Sequence, residues 1–198
     1  DTGPGGRGLP DLLGDGSRVV AYRSTIPTLG ATTLRILTVR RLKVDEAGRF
    51  PDGRFASIDG KLFIVARELP LGRYLSVDCE DFGALSHNAF KTSVHAPRKG
   101  RFVDVSDQYP GFFDDEIKRK TAILQRMKGD LPKDSGEYLG LAISLYYDYA
   151  ARGQARQAWD RQGELIPSYA GVPGRARTCL DVIKTDLRKR LNIPADWP

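Results

Sequence analysis

Arginine, glutamine and spaced glycines carry the most specific chemistry this sequence offers. From Gly53 to Pro70 it reads GRFASIDGKLFIVARELP, that is Gly-Arg-Phe-x-Ser-x-Asp-Gly, then Phe63, then Arg67-x-Leu69-Pro70. Arginine presents a planar fork of donors that meets phosphate oxygens in pairs. Arg67, together with Arg40 or Arg41, is therefore a candidate clamp for the pyrophosphate of a dinucleotide. Gly53 and Gly60 lack a Cβ and would let the backbone approach such a ligand closely. Gln108 is neutral and can orient a ribose or an attacking water. If the bond between ribose and base breaks, positive charge develops on the sugar, as in an oxocarbenium-like transition state. The same string also reads as a turn between two strands whose basic residues discourage edge pairing.

The Gly53–Pro70 stretch resembles the NAD-glycohydrolase domains of the tuberculosis necrotizing toxin type, in which a GRFxSxxG turn is soon followed by Phe and an R-x-L-P step. Leu37-Thr38-Val39-Arg40-Arg41 stands where that family has an arginine before the motif, and Gln108-Tyr109 where it has a Gln-Tyr pair. The resemblance runs from Leu37 to Tyr109. One additional residue lies between Phe63 and Arg67, and Gly72-Arg73-Tyr74 replaces the family's histidine. The resemblance implies a secreted or delivered toxin-like effector that hydrolyses NAD(P)+ as its substrate in a target cytoplasm. It also implies an inhibitor (immunity) protein as a partner.

Other patterns point to other classes. Tyr22-Arg23, Thr92-Ser93 and Gln162-Gly163-Glu164 trace an ADP-ribosyltransferase-like set, although the last falls in an expected helix where that family has a strand. Cys79 and His95 have the short separation of cytotoxic necrotizing factor-type deamidases, but Asp78, Glu80 and Asp81 would raise the thiol pKa and disfavour the thiolate nucleophile. His87, His95 and Arg98-Lys99-Gly100-Arg101 suggest a metal-free ribonuclease, which needs a base, an acid and a cation. Aromatic residues are not interleaved with these cations as a nucleic-acid stacking surface requires. A non-enzymatic binding module using the helical half is the alternative from outside catalysis. No HExxH, CxxC or calcium-loop spacing occurs, so no metal site is expected.

These residues must be held by a chain of 198 residues with 40% hydrophobic and 28% charged residues, enough for a buried core and unlike a disordered segment. Its net charge of +6 favours anionic partners such as a nucleotide, nucleic acid or an acidic surface. No apolar run approaches the length of a membrane span. Residues 1–16, rich in glycine and without an initial methionine, read as a leader or linker, and the whole as a domain cut from a longer protein.

From Ser17 to Tyr109 short β-type runs alternate with turn residues: Val19–Tyr22, a single strand over Thr33–Val44, turn punctuation from Gly48 to Gly60, then Lys61–Ala66, Tyr74–Val77, Phe90–Val94 and Arg101–Val105. After Pro110 the pattern becomes helical. Asp114–Glu116 open a helix closed by Lys128-Gly129, and Ser135 opens another with Leu139, Ala142, Ile143, Tyr146 and Ala150 at helical spacing. Gly153 stops it, Gln154–Leu165 returns antiparallel, and Leu180–Leu191 carries the stripe of a last helix. The LG…YY…G…A…W…P pattern of the hairpin resembles one tetratricopeptide unit, but one unit cannot bury its own face. The expected fold is α+β: a sheet or partly closed barrel over residues 17–109 and helices over residues 110–198.

Overall fold

Two-residue turns that only particular residues tolerate define the hairpins of the first half. Asp59 and Gly60 have φ of 51° and 73°, and Lys99 and Gly100 have 47° and 82°. Both turns therefore have two successive left-handed residues, the conformation that matches strand twist in a tight hairpin. The computed structural model describes residues 12–26, 31–40, 43–71, 82–127, 135–165 and 193–197. The chain is an α+β protein. Its strands are β1 (Arg18–Ile26), β2 (Ala31–Arg40), β3 (Lys43–Pro51), β4 (Arg54–Ile58), β5 (Lys61–Glu68), β6 (Lys91–Arg98) and β7 (Arg101–Asp104). Its helices are α1 (Phe82–Asn88), α2 (Pro110–Met127), α3 (Ser135–Ala151) and α4 (Ala155–Leu165). The strands form two sheets, β1-β2-β3 and β4-β5-β6-β7.

The expected strand Thr33–Val44 is two strands. β2 ends at Arg40 and β3 begins at Lys43, with Val39 opposite Val44 across the antiparallel ladder. Apolar alternation continues through a tight reversal because partners across it share a face. The Gly48–Gly60 punctuation likewise holds the end of β3 and all of β4. Gly48 lies within β3, where an added Cβ would come within 2.5 Å of the Phe50 ring. That glycine is room for an aromatic ring rather than a turn.

Two compact units result, one of Asp1–Glu68 with Thr92–Tyr109 and one of Leu69–Lys91 with Pro110–Pro198. In the sheet unit, Val19, Leu34, Ile36 and Phe50 from the first sheet pack with Ile64 and Ala66 from the second. Phe102 meets Phe50 edge-on, with ring centres 5.3 Å apart. Full burial of each large apolar side chain contributes about 1.5–3 kcal/mol.

In the helical unit α3 is buried nearly all round, and α1, α2 and α4 each pack on it. The spacing of Leu139, Ala142, Ile143 and Tyr146 marks one stripe, but Leu141, Leu145 and Tyr149 on other faces are buried too. Gly140 sets the closeness of α1, since an added Cβ would collide with the Leu85 carbonyl and reach 2.7 Å from Asn88 Cβ. Helix α3 ends where Gly153 enters a φ of 79°. The Gly153 N–H then bonds to the Ala150 carbonyl and the Gln154 N–H to Tyr149, which satisfies two terminal carbonyls. The sequence pattern omits α1, because a helix of seven residues is too short to show a period. Helix α2 starts at Pro110, where the missing proline N–H costs nothing, rather than at Asp114. Tyr74–Val77 and Leu180–Leu191 lie outside the described residues.

Candidate functional site

The GRFxSxDG string is the β4–β5 hairpin. Arg54 is opposite Val65, Ala56 opposite Phe63, and Asp59-Gly60 form the turn. Ile64 and Ala66 point into the core between the sheets, so Phe63, Val65 and Arg67 occupy the other face of β5, with Arg54 and Ala56 beside them. Diagonal neighbours on one antiparallel face are about 7–8 Å apart, which makes Arg54 and Arg67 a pair of cations on one patch. Arg67 is 35% exposed, and its Nη1 lies 3.6 Å from Asp52 Oδ2. Asp52 is fixed at the β3–β4 junction by its N–H bond to the Thr32 carbonyl, 2.8 Å.

Tyr109, the residue after Gln108, meets this hairpin. The Tyr109 ring contacts Phe63 with centres 4.7 Å apart. Gln108 itself is exposed at the end of a single 3-10 turn, Ser106–Gln108. Its N–H donates to the Val105 carbonyl at 2.9 Å. The turn is anchored by Ser106, whose hydroxyl donates to Asp104 Oδ1 at 2.6 Å and accepts from the Val94 N–H at 2.9 Å. Arg67 is four residues along β5 from Phe63, roughly 13 Å at about 3.3 Å per residue.

Arg40 is not part of this arrangement. Asp52, the partner of Arg67, is tied to Thr32 near the start of β2, whereas Arg40 ends that strand. Eight residues of strand, roughly 26 Å, separate those two positions, too far for Arg40 and Arg67 to grip one pyrophosphate. Arg40 instead pairs with Asp15 Oδ2, and its guanidinium also donates to the Asp15 carbonyl at 3.1 Å. The Ser17 hydroxyl and N–H, and then Arg40, hold the Asp15 carboxyl below its usual range. Asp15, Gly16, Arg18, Val39 and Arg40 line an open groove of about 730 Å³. Arg41 lies outside the described residues.

Both site glycines have conformational or packing roles. A Cβ on Gly53 would come 2.7 Å from Phe50 Cβ and 2.9 Å from Leu34 Cβ, so the chain needs glycine there to close on its core. Gly60 faces open space and is set by its positive φ. Arg54, in the Gly-Arg-Phe step of the motif, is not among the clamp residues expected from the sequence, and the register sets it opposite Val65.

His95 on β6 shares a 2.9 Å hydrogen bond with Ser93 Oγ and lies against Phe50, with ring centres 5.0 Å apart. His87 is on α1, in the helical unit. Gln162–Glu164 lie in α4, a helix and not a strand. Cys79 and Cys179 are outside the described residues. Among the described residues no group of three or more His, Cys, Asp or Glu could hold a metal ion. None of the described helices is long and apolar enough to cross a membrane, which does not bear on β-barrels.

One buried polar cluster has no counterpart in the sequence reading. Lys120 of α2 and Asp148 of α3 both have 0% side-chain exposure, with Nζ 2.5 Å from Oδ2. Lys120 also donates to Ser144 Oγ at 2.7 Å and stands 4.4 Å over the Phe90 ring. Burial lowers the Lys120 pKa and pushes Asp148 up to about 6, against the pull of each on the other. Comparison with protein-family models, with curated proteins and with solved structures gives no match to this chain.

Proposed function

We propose that the chain is a toxin-like effector domain that hydrolyses NAD(P)+ to nicotinamide and ADP-ribose, working on the exposed rim of the β4–β5 hairpin. The observation that supports this reading is the Phe63–Tyr109 contact, which joins the residue after Gln108 to the strand that also bears Arg67. Arg67 and Arg54 hold the pyrophosphate by charge-assisted hydrogen bonds. Gln108 orients the nicotinamide ribose and the attacking water. Water bonds to the anomeric carbon as the bond to nicotinamide breaks. The bonding pair leaves with the ring nitrogen, and the water releases one proton. The net charge of +6 draws an anionic substrate toward the surface.

Fluorescent etheno-NAD+ tests the reading directly, because loss of nicotinamide raises its emission. The folded chain is expected to release nicotinamide, with Arg67→Ala weakening NAD+ binding about 10- to 100-fold, the equivalent of about 1.5–3 kcal/mol. Arg67→Lys restores only part, since a point charge lacks the bidentate fork. No turnover by well-folded protein, or full NAD+ affinity in Arg67→Ala, would overturn it.

A further inference from the structure

The three-stranded sheet has two unlike faces. One sends Val19, Leu34, Ile36 and Phe50 into the core. On the other, the register sets Val20 beside Leu37, Arg18 in line with Val39 and Val44, and Tyr22 beside Arg35. Val20, Tyr22, Ile26 and Val44 stand 46%, 42%, 51% and 57% exposed, an unusual grouping for residues that alternate along paired strands. β1 is also the outermost strand of its sheet and runs for nine residues. One row of its backbone N–H and C=O groups therefore has no strand beside it among the described residues, and such an edge is a template for another strand.

The charge on this edge is one-sided. Arg18 and Arg23 of β1 have no ion-pair partner among the described residues, whereas Asp15 is already engaged by Arg40 and Ser17. The open groove beside Arg18 brings Val39 and Arg40 to the same corner. We infer that β1 accepts by strand addition an extended acidic segment of another protein, whose side chains alternate between the two faces. Apolar residues of that segment cover Val20, Tyr22 and Ile26. Its carboxylates meet Arg23 on the opposite face. Main-chain bonds supply affinity and the alternate side chains supply specificity. A second copy of this chain is disfavoured, because it would set a net charge of +6 against its like. Nucleic acid is disfavoured by the apolar centre of the patch, where Tyr22 is the one aromatic on β1 and no ladder of rings exists for stacking bases.

The test uses the whole 198-residue chain and a labelled nine-residue peptide of alternating glutamate and valine, the length of β1. Three analogues accompany it: lysine in place of glutamate, and backbone N-methylation at either the odd or the even positions. Fluorescence anisotropy is expected to show the glutamate peptide binding at least about tenfold tighter than the lysine analogue and than one of the two N-methylated forms. Arg23→Glu and Val20→Asp, both at exposed positions, should each weaken it about tenfold while the melting temperature stays put. The inference fails if the glutamate peptide does not bind, or if both N-methylated forms bind equally well. Equal binding of the lysine form, or indifference to both substitutions, sinks it as well. A single-stranded RNA that displaces the peptide and loses its own affinity in Arg23→Glu would make the patch a polyanion site instead. Dimerisation of the free chain that Val20→Asp abolishes would make it a self-interface.

Discussion

In the sheet unit the ion pairs lie in water's reach: Arg35–Glu46, Arg49–Glu46, Lys43–Asp45 and Arg67–Asp52 all keep substantial exposure. In the helical unit Lys118–Asp115, Arg119–Glu116, Arg152–Asp114 and Arg156–Asp160 are open to water likewise, but Lys120 and Asp148 are enclosed, with no exposure on either side chain. Solvent screens the first group, so each pair contributes about 0–1 kcal/mol and its arginine can turn to a ligand at little cost. The enclosed pair can do neither. Its charges are costly to bury, and each is tolerable only while the other is present. The exposed ion pairs of both units thus contribute little to stability, whereas Lys120 is a cation that the fold of the helical unit depends on.

Removing one enclosed partner should have the largest effect on stability. Lys120→Ala leaves the Asp148 carboxyl alone beside Ser144, and urea melts should show a loss of about 3–5 kcal/mol. Replacing the pair together, as Lys120→Met with Asp148→Leu, should recover most of that loss, because an apolar pair of similar volume leaves no buried charge. A double variant as unstable as Lys120→Ala would mean that packing, and not charge, is what the site requires.

The same pair should leave a mark on the pH dependence of stability. Burial pushes Asp148 from 3.8 to about 6 in the folded chain. Between those values the folded chain holds a proton that the unfolded chain has released, so protonation favours folding. This contribution is present below about pH 4 and is lost as pH rises through about 6. Urea midpoints of wild type should therefore fall across that window relative to Asp148→Asn. Parallel curves for the two proteins would show that Asp148 is ionised throughout.

Smaller effects sharpen the distinction inside the sheet unit. Gly53→Ala should cost about 1–3 kcal/mol, since its Cβ would press on Phe50 and Leu34. Gly60→Ala meets no atom and should cost only about 1 kcal/mol, for its left-handed backbone. Thermal melts of both variants decide whether the motif's two glycines serve different ends, and a reversed order would contradict the packing assigned to Gly53. The smallest change expected is the stability of Arg67→Ala, within about 0.5 kcal/mol of wild type, because its pair with Asp52 is solvent-exposed. A larger drop would mark Arg67 as part of the fold.

Much of the helical half was legible because its signals are local. Ser135 and Gly153 bracket α3, and the returning helix the sequence indicates is α4 over Ala155–Leu165. The strands were legible in existence but not in partition. Val39 and Val44 look like successive members of one alternation, and only pairing across the reversal distinguishes a hairpin from a long strand. The candidate site divided in the same way. Arg67 and Gln108 stand out by type and motif, while the separation of Arg40 from Arg67 depends on which end of β2 meets Asp52.

By itself, the sequence determined the α+β class, the tight Asp59-Gly60 turn and the helix stop at Gly153, because backbone sterics and hydrophobic periodicity act over a few residues. Tertiary structure alone decided the rest. It split the strands into two sheets, drew α1 out of a stretch that reads as β, moved Arg40 away from the hairpin, and enclosed Lys120 with Asp148. Each of these depends on burial shared between residues distant in sequence, where the free energy belongs to the contact and neither partner records it alone.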